Sequence, residues 1–269
     1  GGIFTDRFNP VNQRLLGFPG SYWESIENPI IEYKQGEEHL NHNAVHKSLE
    51  KLELILSKEK NVCAILVEPI QCTLGDRYFP ELFFVELRKL ANKYDVVLIF
   101  DEIQIGFGGT GKLWYYQHLP IIPDILIFGK KTQLSGIAVQ SKFSAIFDKA
   151  IRLEVTWDAD IIDMIRCKYI IKAFHDLDIL KNVNTMASKL KNGLTEIDNI
   201  KNIRNCGLLF AFDFTSRSKR DLFLKKALKN NMICNPTGEK TIRLRPNLCV
   251  TEEEIHHCLS ILKQSSLKL

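Results

Sequence analysis

From residue 40 to 59, apolar side chains return every three to four positions (Val45, Leu49, Leu52, Ile55, Leu56), a spacing that predicts an amphipathic helix. The next apolar stretch differs in kind. Cys63 to Val67 is short and continuous and stops at Glu68-Pro69, as a buried strand does. Pro80 suits the first turn of a second helix running to about Tyr94, with Leu82, Val85, Leu87 and Leu90 along its apolar face. Val96 to Phe100 and Ile125 to Phe128 are two further short apolar runs. Between them lies the glycine-rich loop Gly106-Phe107-Gly108-Gly109-Thr110-Gly111. Strand, helix, strand, loop, strand is the alternation of an α/β domain built on a mostly parallel sheet. Residues 1 to 36, where proline, glycine and aromatics mix, read as irregular.

The pattern changes after about residue 160. Ile161 to Phe174, Val183 to Leu194 and Ser218 to Lys229 have helical periodicity. Leu208 to Phe214, Met232 to Cys234 and Thr241 to Leu244 read as strands. Thr251 with Glu254 three residues on forms a capping box that opens a last helix to about Lys263. The expected organisation is a large α/β domain over residues 1–160 and a smaller α+β domain over residues 161–269.

Composition excludes several classes. The chain is 45% hydrophobic and 25% charged, with a net charge of +4, the profile of an ordinary globular protein. Its lysines are spread among acids, which gives no nucleic-acid surface. No apolar run approaches the ~20 residues of a membrane helix. Gly1-Gly2-Ile3-Phe4-Thr5-Asp6 has no signal-peptide pattern and no initiator methionine, so a chain cut at its front end is expected. Seven scattered cysteines without a C-x-x-C pair predict reduced core thiols in a reducing, cytoplasmic compartment and no metal site.

The candidate chemistry sits at the ends of the two apolar runs. Asp101 follows Val96–Phe100, and Lys130-Lys131 follows Ile125–Phe128-Gly129. α/β enzymes bind ligands at the carboxyl edge of their sheets. An acid and a lysine on neighbouring strand ends are the pair that pyridoxal phosphate requires. A carboxylate keeps the ring nitrogen protonated, and an amine condenses with the aldehyde. On residue chemistry alone Lys130 and Lys131 compete for that role, and Gln104 is placed to meet the ring hydroxyl. The competing reading is bland: an acid at a strand end often caps a loop, and a lysine pair often marks a solvated turn.

Specific segments go further. Leu98–Gln117, containing Asp101-Glu-Ile-Gln104 and the glycine-rich loop, resembles the cofactor segment of class III aminotransferases. Pro123-Asp-Ile-Leu-Ile-Phe-Gly-Lys-Lys-Thr-Gln133 resembles their Schiff-base segment, in the form carried by lysine 6-aminotransferases. Phe18-Pro19 with Trp23, Ile26 and Pro29, and Val67–Gln71 with Gly75–Phe79, match the same family's spacing. The resemblance spans nearly the whole chain. It implies the type I fold of pyridoxal-phosphate enzymes, a homodimer, and ping-pong transfer of the ε-amino group of lysine to 2-oxoglutarate. Transamination of 4-aminobutyrate or ornithine is the related alternative; the Lys-Lys pair argues against ornithine. It also implies roles: Asp101 at the pyridine nitrogen, Gln104 at the ring hydroxyl, Lys130 as the Schiff-base lysine, Thr156 at the phosphate across a dimer interface, and Arg243 on a substrate carboxylate. Arg245 reads as the surface-facing arginine of the pair.

The chain also departs from the family. The family's long N-terminal part, with its phosphate-cradling loop, precedes the point where this sequence starts. Thr73 stands where the family carries a glutamate that gates the substrate arginine. Asp158-Ala159-Asp160 replaces a Gly-Gly-Asn stretch beside the phosphate. A degenerate, non-catalytic aminotransferase is therefore the rival expectation.

Overall fold

The computed structural model describes residues 24–34, 37–150, 153, 156, 158 and 160–267. Phe18-Pro19 and Trp23, which carry part of the resemblance, lie outside them.

A four-stranded sheet organises the first part of the chain. Its strands are β3 (Ala64–Val67), β6 (Val97–Asp101), β7 (Ile125–Phe128) and β8 (Gly136–Val139), in the order β3-β6-β7-β8. The first three run parallel, with Ala64 opposite Val97 and Asp101 opposite Ile127. β8 was not expected; it folds back antiparallel to β7, with Phe128 opposite Gly136, so the sheet is mixed. The sequence Gly-Ile-Ala-Val lacks the length and bulk that marks the other strands. Helix α1 (His42–Lys58) begins at the side chain of Asn41, which accepts from the Ala44 N–H. Helix α2 (Glu81–Lys93) starts immediately after Pro80, as expected. Its Phe83, Phe84 and Leu87 are buried, and the Phe84 ring meets Phe100 of β6 at 5.6 Å in an edge-on arrangement.

Residues 32–39, expected to be largely irregular, form a hairpin of β1 (Glu32–Lys34) and β2 (Glu37–His39). A second small hairpin joins β4 (Ile70–Gln71) to β5 (Arg77–Tyr78). Both are too short and too polar to announce themselves by alternation.

The later part holds α3 (Ile161–Asp176), α4 (Ile179–Thr195), α5 (Arg217–Lys229) and α6 (Glu252–Ser266). They accompany an antiparallel sheet of β9 (Lys201–Cys206), β10 (Leu209–Asp213), β11 (Asn235–Thr237) and β12 (Thr241–Leu244), ordered β11-β12-β10-β9. β10 is buried along its whole length, and Phe210, Phe212, Phe214 and Phe223 form the centre of a second core. Thr251 and Glu254 make the anticipated capping box. The strand expected at Met232–Cys234 lies three residues further on, at Asn235–Thr237, where pairing to β12 is available. α4 begins four residues earlier than its periodicity suggested, because Asp178 turns the chain in the left-handed conformation.

The cysteines are all free, but only Cys72 and Cys167 are buried; Cys63 and Cys249 are exposed. Cys206, Cys234 and Cys258 pack against the two cores, so the expectation of core thiols holds for most of the seven and fails for Cys63 and Cys249. No helix among the described residues is long and apolar enough to cross a membrane.

The two parts meet along one seam. Leu208 N–H donates to the Gly109 carbonyl at 3.0 Å, and Asn184 donates to the Gly111 carbonyl. Phe107 packs edge-on against Phe174 at 5.1 Å. The glycine-rich loop is thus held by the smaller unit as well as by its own sheet.

Candidate active site

Parallel strands β6 and β7 end side by side, which brings the residues following them to one edge. Asp101 is the last residue of β6 and is half-buried; its Oδ1 accepts the Ile103 N–H at 3.0 Å, which turns the chain away from the sheet. Gln104 lies on that turn. Across the edge, Gly129 ends the extended segment of β7, and Lys130 opens a single 3-10 turn with φ of +57°. A side chain in the left-handed region costs on the order of 1 kcal/mol, and such strain collects at functional positions. Lys130 is exposed, and its Nζ lies 3.5 Å from the Gln104 Oε1. Asp101, Gln104 and Lys130 therefore share one edge, as the sequence predicted.

Lys131 takes a different path. It is half-buried, and its Nζ donates to the main-chain carbonyl of Gln104 at 2.7 Å. Burial pulls its ammonium down to about 8. The bland reading, a solvated turn, does not fit Lys131.

The other two candidates are less closely tied. Thr156 sits on an exposed turn, and no hydrogen bond joins it to Asp101, Gln104 or Lys130 among the described residues. Arg243 lies on β12, half-buried, with its Nε buried and without a hydrogen-bond partner. Burial raises the Asp76 carboxyl above its ordinary value, and Arg243, with Arg245 and Arg204, is near enough to oppose that rise.

Arg245 overturns its expected surface role. Its Nη2 reaches both oxygens of the fully buried Asp76, at 2.7 and 2.6 Å, and its Nη1 donates to the Phe210 carbonyl. It is a structural arginine. Asp160, expected to crowd a phosphate, instead caps α3 by accepting the Ile162 and Asp163 N–H groups at 2.8 and 3.1 Å. Thr73 is exposed, and its carbonyl accepts from the Thr237 hydroxyl.

Sequence reasoning missed Glu102. It is buried, and its two oxygens accept the N–H groups of Tyr115 and Tyr116 at 2.6 and 2.8 Å. Burial raises it to about 7 against the pull of those two bonds. Its neighbour Asp101 drew the attention, and nothing in the spacing of 102 to 115 marks a carboxylate that fastens a loop.

A family model described as aminotransferase class-III matches residues 18–265. L-lysine-epsilon aminotransferase of Amycolatopsis lactamdurans is 30% identical over 96% of this chain and 60% of its own length. 4-Aminobutyrate aminotransferase of Schizosaccharomyces pombe is 33% identical over 98% of this chain and 56% of its own. Among solved structures, lysine aminotransferase from M. tuberculosis in the internal aldimine form superposes with a TM-score of 0.84 at 29% identity, covering 93% of this chain and 60% of that one. The chain spans about 60% of the length of these relatives. It belongs to the class-III aminotransferases and has their α/β fold, incomplete at this length. The family depends on pyridoxal phosphate. The residues at the β6–β7 edge fit the ring end of that group: a carboxylate with one oxygen unused by the Ile103 cap, a side-chain amide, and an exposed primary amine.

Proposed function

We propose that this member of the class-III aminotransferases is the cofactor-bearing part of an enzyme that transfers the ε-amino group of L-lysine to 2-oxoglutarate. The observation that carries the reading is the shared edge of Asp101, Gln104 and Lys130, within a Phe-Gly-Lys-Lys-Thr-Gln segment like that of lysine 6-aminotransferases. Pyridoxal phosphate, when bound, supplies an electron sink for the substrate carbanion.

The residues of the chain do the rest. Asp101 holds a proton at the pyridine nitrogen by charge pairing. Gln104 orients the ring through its hydroxyl. Lys130 would hold the cofactor through its amine and would move the proton at the substrate carbon. Arg243 presents a planar fork to a substrate carboxylate, with an Nε that has no hydrogen-bond partner among the described residues. Thr156 bonds the phosphate from the partner side of a homodimer. The order would be ping-pong, the amino donor's product leaving before the oxo acid enters. The unit boundary falls at residue 160, where Asp160 caps α3, and the protein works in the cytoplasm.

4-Aminobutyrate as donor is the second reading, favoured by the 33% identity to the S. pombe enzyme. A degenerate, inactive copy is the third, favoured by Thr73 and by the Asp158–Asp160 stretch. The test is the protein mixed with pyridoxal phosphate, reduced with borohydride and mapped by peptide mass, followed by assays with lysine and with 4-aminobutyrate. A phosphopyridoxyl label on Lys130 and faster turnover of lysine support the first reading. Faster turnover of 4-aminobutyrate selects the second, and no label on any lysine selects the third.

A further inference from the structure

Lys131 stands at the β6–β7 edge with no part in the chemistry above, and its surroundings hold it in place. Lys130 occupies the left-handed region with its side chain exposed, whereas the side chain of Lys131 is half-buried. Lys131 Cε lies 3.5 Å from where a Cβ on Gly109 would sit, so the chain runs beneath the glycine-rich loop. The ammonium ends on the Gln104 carbonyl at 2.7 Å. The charged and titratable groups that act on it are Cys72, Arg245, Lys130 and Glu102. An ammonium taken out of water is costly unless its donors are used, so this placement needs the carbonyl it binds.

Gln104 is consequently gripped twice. Its main-chain oxygen belongs to Lys131, and its side-chain oxygen faces the Lys130 amine at 3.5 Å. We propose that Lys131 is a positioning residue: it ties the turn after β7 to the loop after β6, fixing Gln104 and thereby the place of the Lys130 amine at the cofactor. This rests on the assignment of Lys130 made above.

Two measurements on the protein test it. In the cofactor-free protein, limiting acetic anhydride followed by peptide mass mapping should acetylate Lys130 much faster than Lys131; equal rates would remove the anchor and overturn the proposal, even if no variant folds. Next, the Kd for pyridoxal phosphate and the residue fixed by borohydride are compared for wild type, Lys131→Met and Lys131→Arg. Lys131→Met should keep the label on Lys130 but raise Kd about tenfold, and Lys131→Arg, which restores a charged donor, should recover most of that loss. A Kd within about twofold of wild type in Lys131→Met, or a Lys131→Arg no better than Lys131→Met with both melting early, refutes positioning in favour of packing. Fixation on Lys131 overturns this proposal together with the assignment of Lys130. No fixation in wild type sinks the cofactor reading, whereas a wild-type label on Lys130 with an unaffected Lys131→Met sinks only the present inference.

Discussion

Arg245 and Asp76, 169 positions apart in the chain, form a charge pair in which one guanidinium nitrogen meets both carboxylate oxygens. The pair joins the turn before β5 to the end of β12, and so fixes the smaller unit on the larger one. Arg204 works on the same turn: its Nε donates to the Gly75 and Asp76 carbonyls at 3.1 Å, and its Nη2 pairs with Asp213 at 3.1 Å. Removing one partner of a buried pair strands the other charge, at about 3–5 kcal/mol. Asp76→Asn should lower the unfolding free energy measured by urea titration by that amount. The double variant Asp76→Asn with Arg245→Met should regain part of it, since no lone charge is left; a double variant less stable than either single one contradicts the argument.

Gly207 offers a second test of the same seam. It has φ of +54°, and a Cβ there would come within 2.4 Å of the Thr110 carbonyl carbon and 2.6 Å of the Gly109 oxygen. Backbone cannot step aside as a side chain can. Gly207→Ala should destabilise by about 2–4 kcal/mol, the sum of left-handed strain and overpacking. It should also raise proteolysis at residues 106–111 before the rest of the chain.

Glu102 sets a pH dependence whose sign is fixed. Its carboxyl titrates near 7 in the folded chain because burial outweighs the two backbone bonds, against an ordinary value of 4.5. Between these values the folded state keeps a proton that the unfolded state loses. Its contribution to stability is therefore full below about 4.5 and is lost as pH rises through about 7. The span is worth roughly 3 kcal/mol. Urea unfolding from pH 4.5 to 8 should show this fall, and Glu102→Gln should flatten it; an unchanged slope in the variant assigns the effect elsewhere.

Arg243 and Arg245 should separate function from stability. Arg243→Ala should leave the melting temperature within a degree or two, because its Nε has no hydrogen-bond partner to lose among the described residues. It should raise KM for the carboxylate substrates by about a hundredfold, the value of a charge-assisted bond of roughly 3 kcal/mol. Arg245→Ala should do the reverse, lowering the melting temperature sharply. Equal effects of the two variants on KM would take Arg243 out of the substrate site.

The sequence by itself determined the strands and the edge they share. Val96–Phe100 and Ile125–Phe128 are continuous apolar runs, and only burial on both faces of a sheet suits such runs. The residues that follow them, Asp101 and Lys130, must then emerge together. The Thr251–Glu254 box and the helix after Pro80 were legible for the same reason: each is a local interaction written within a few residues. What tertiary structure alone decided are the long-range roles. Lys130 and Lys131 are adjacent and chemically alike, and only the folded structure leaves one exposed and ties the other to the Gln104 carbonyl. Arg245 looked like a surface residue until folding delivered Asp76 to it. Asp160 looked like a charge at a phosphate until α3 started at its side chain. Hydrophobic periodicity reports which face of an element is buried, but a polar side chain's partner depends on which distant element packs there, and that is set only when the whole chain closes.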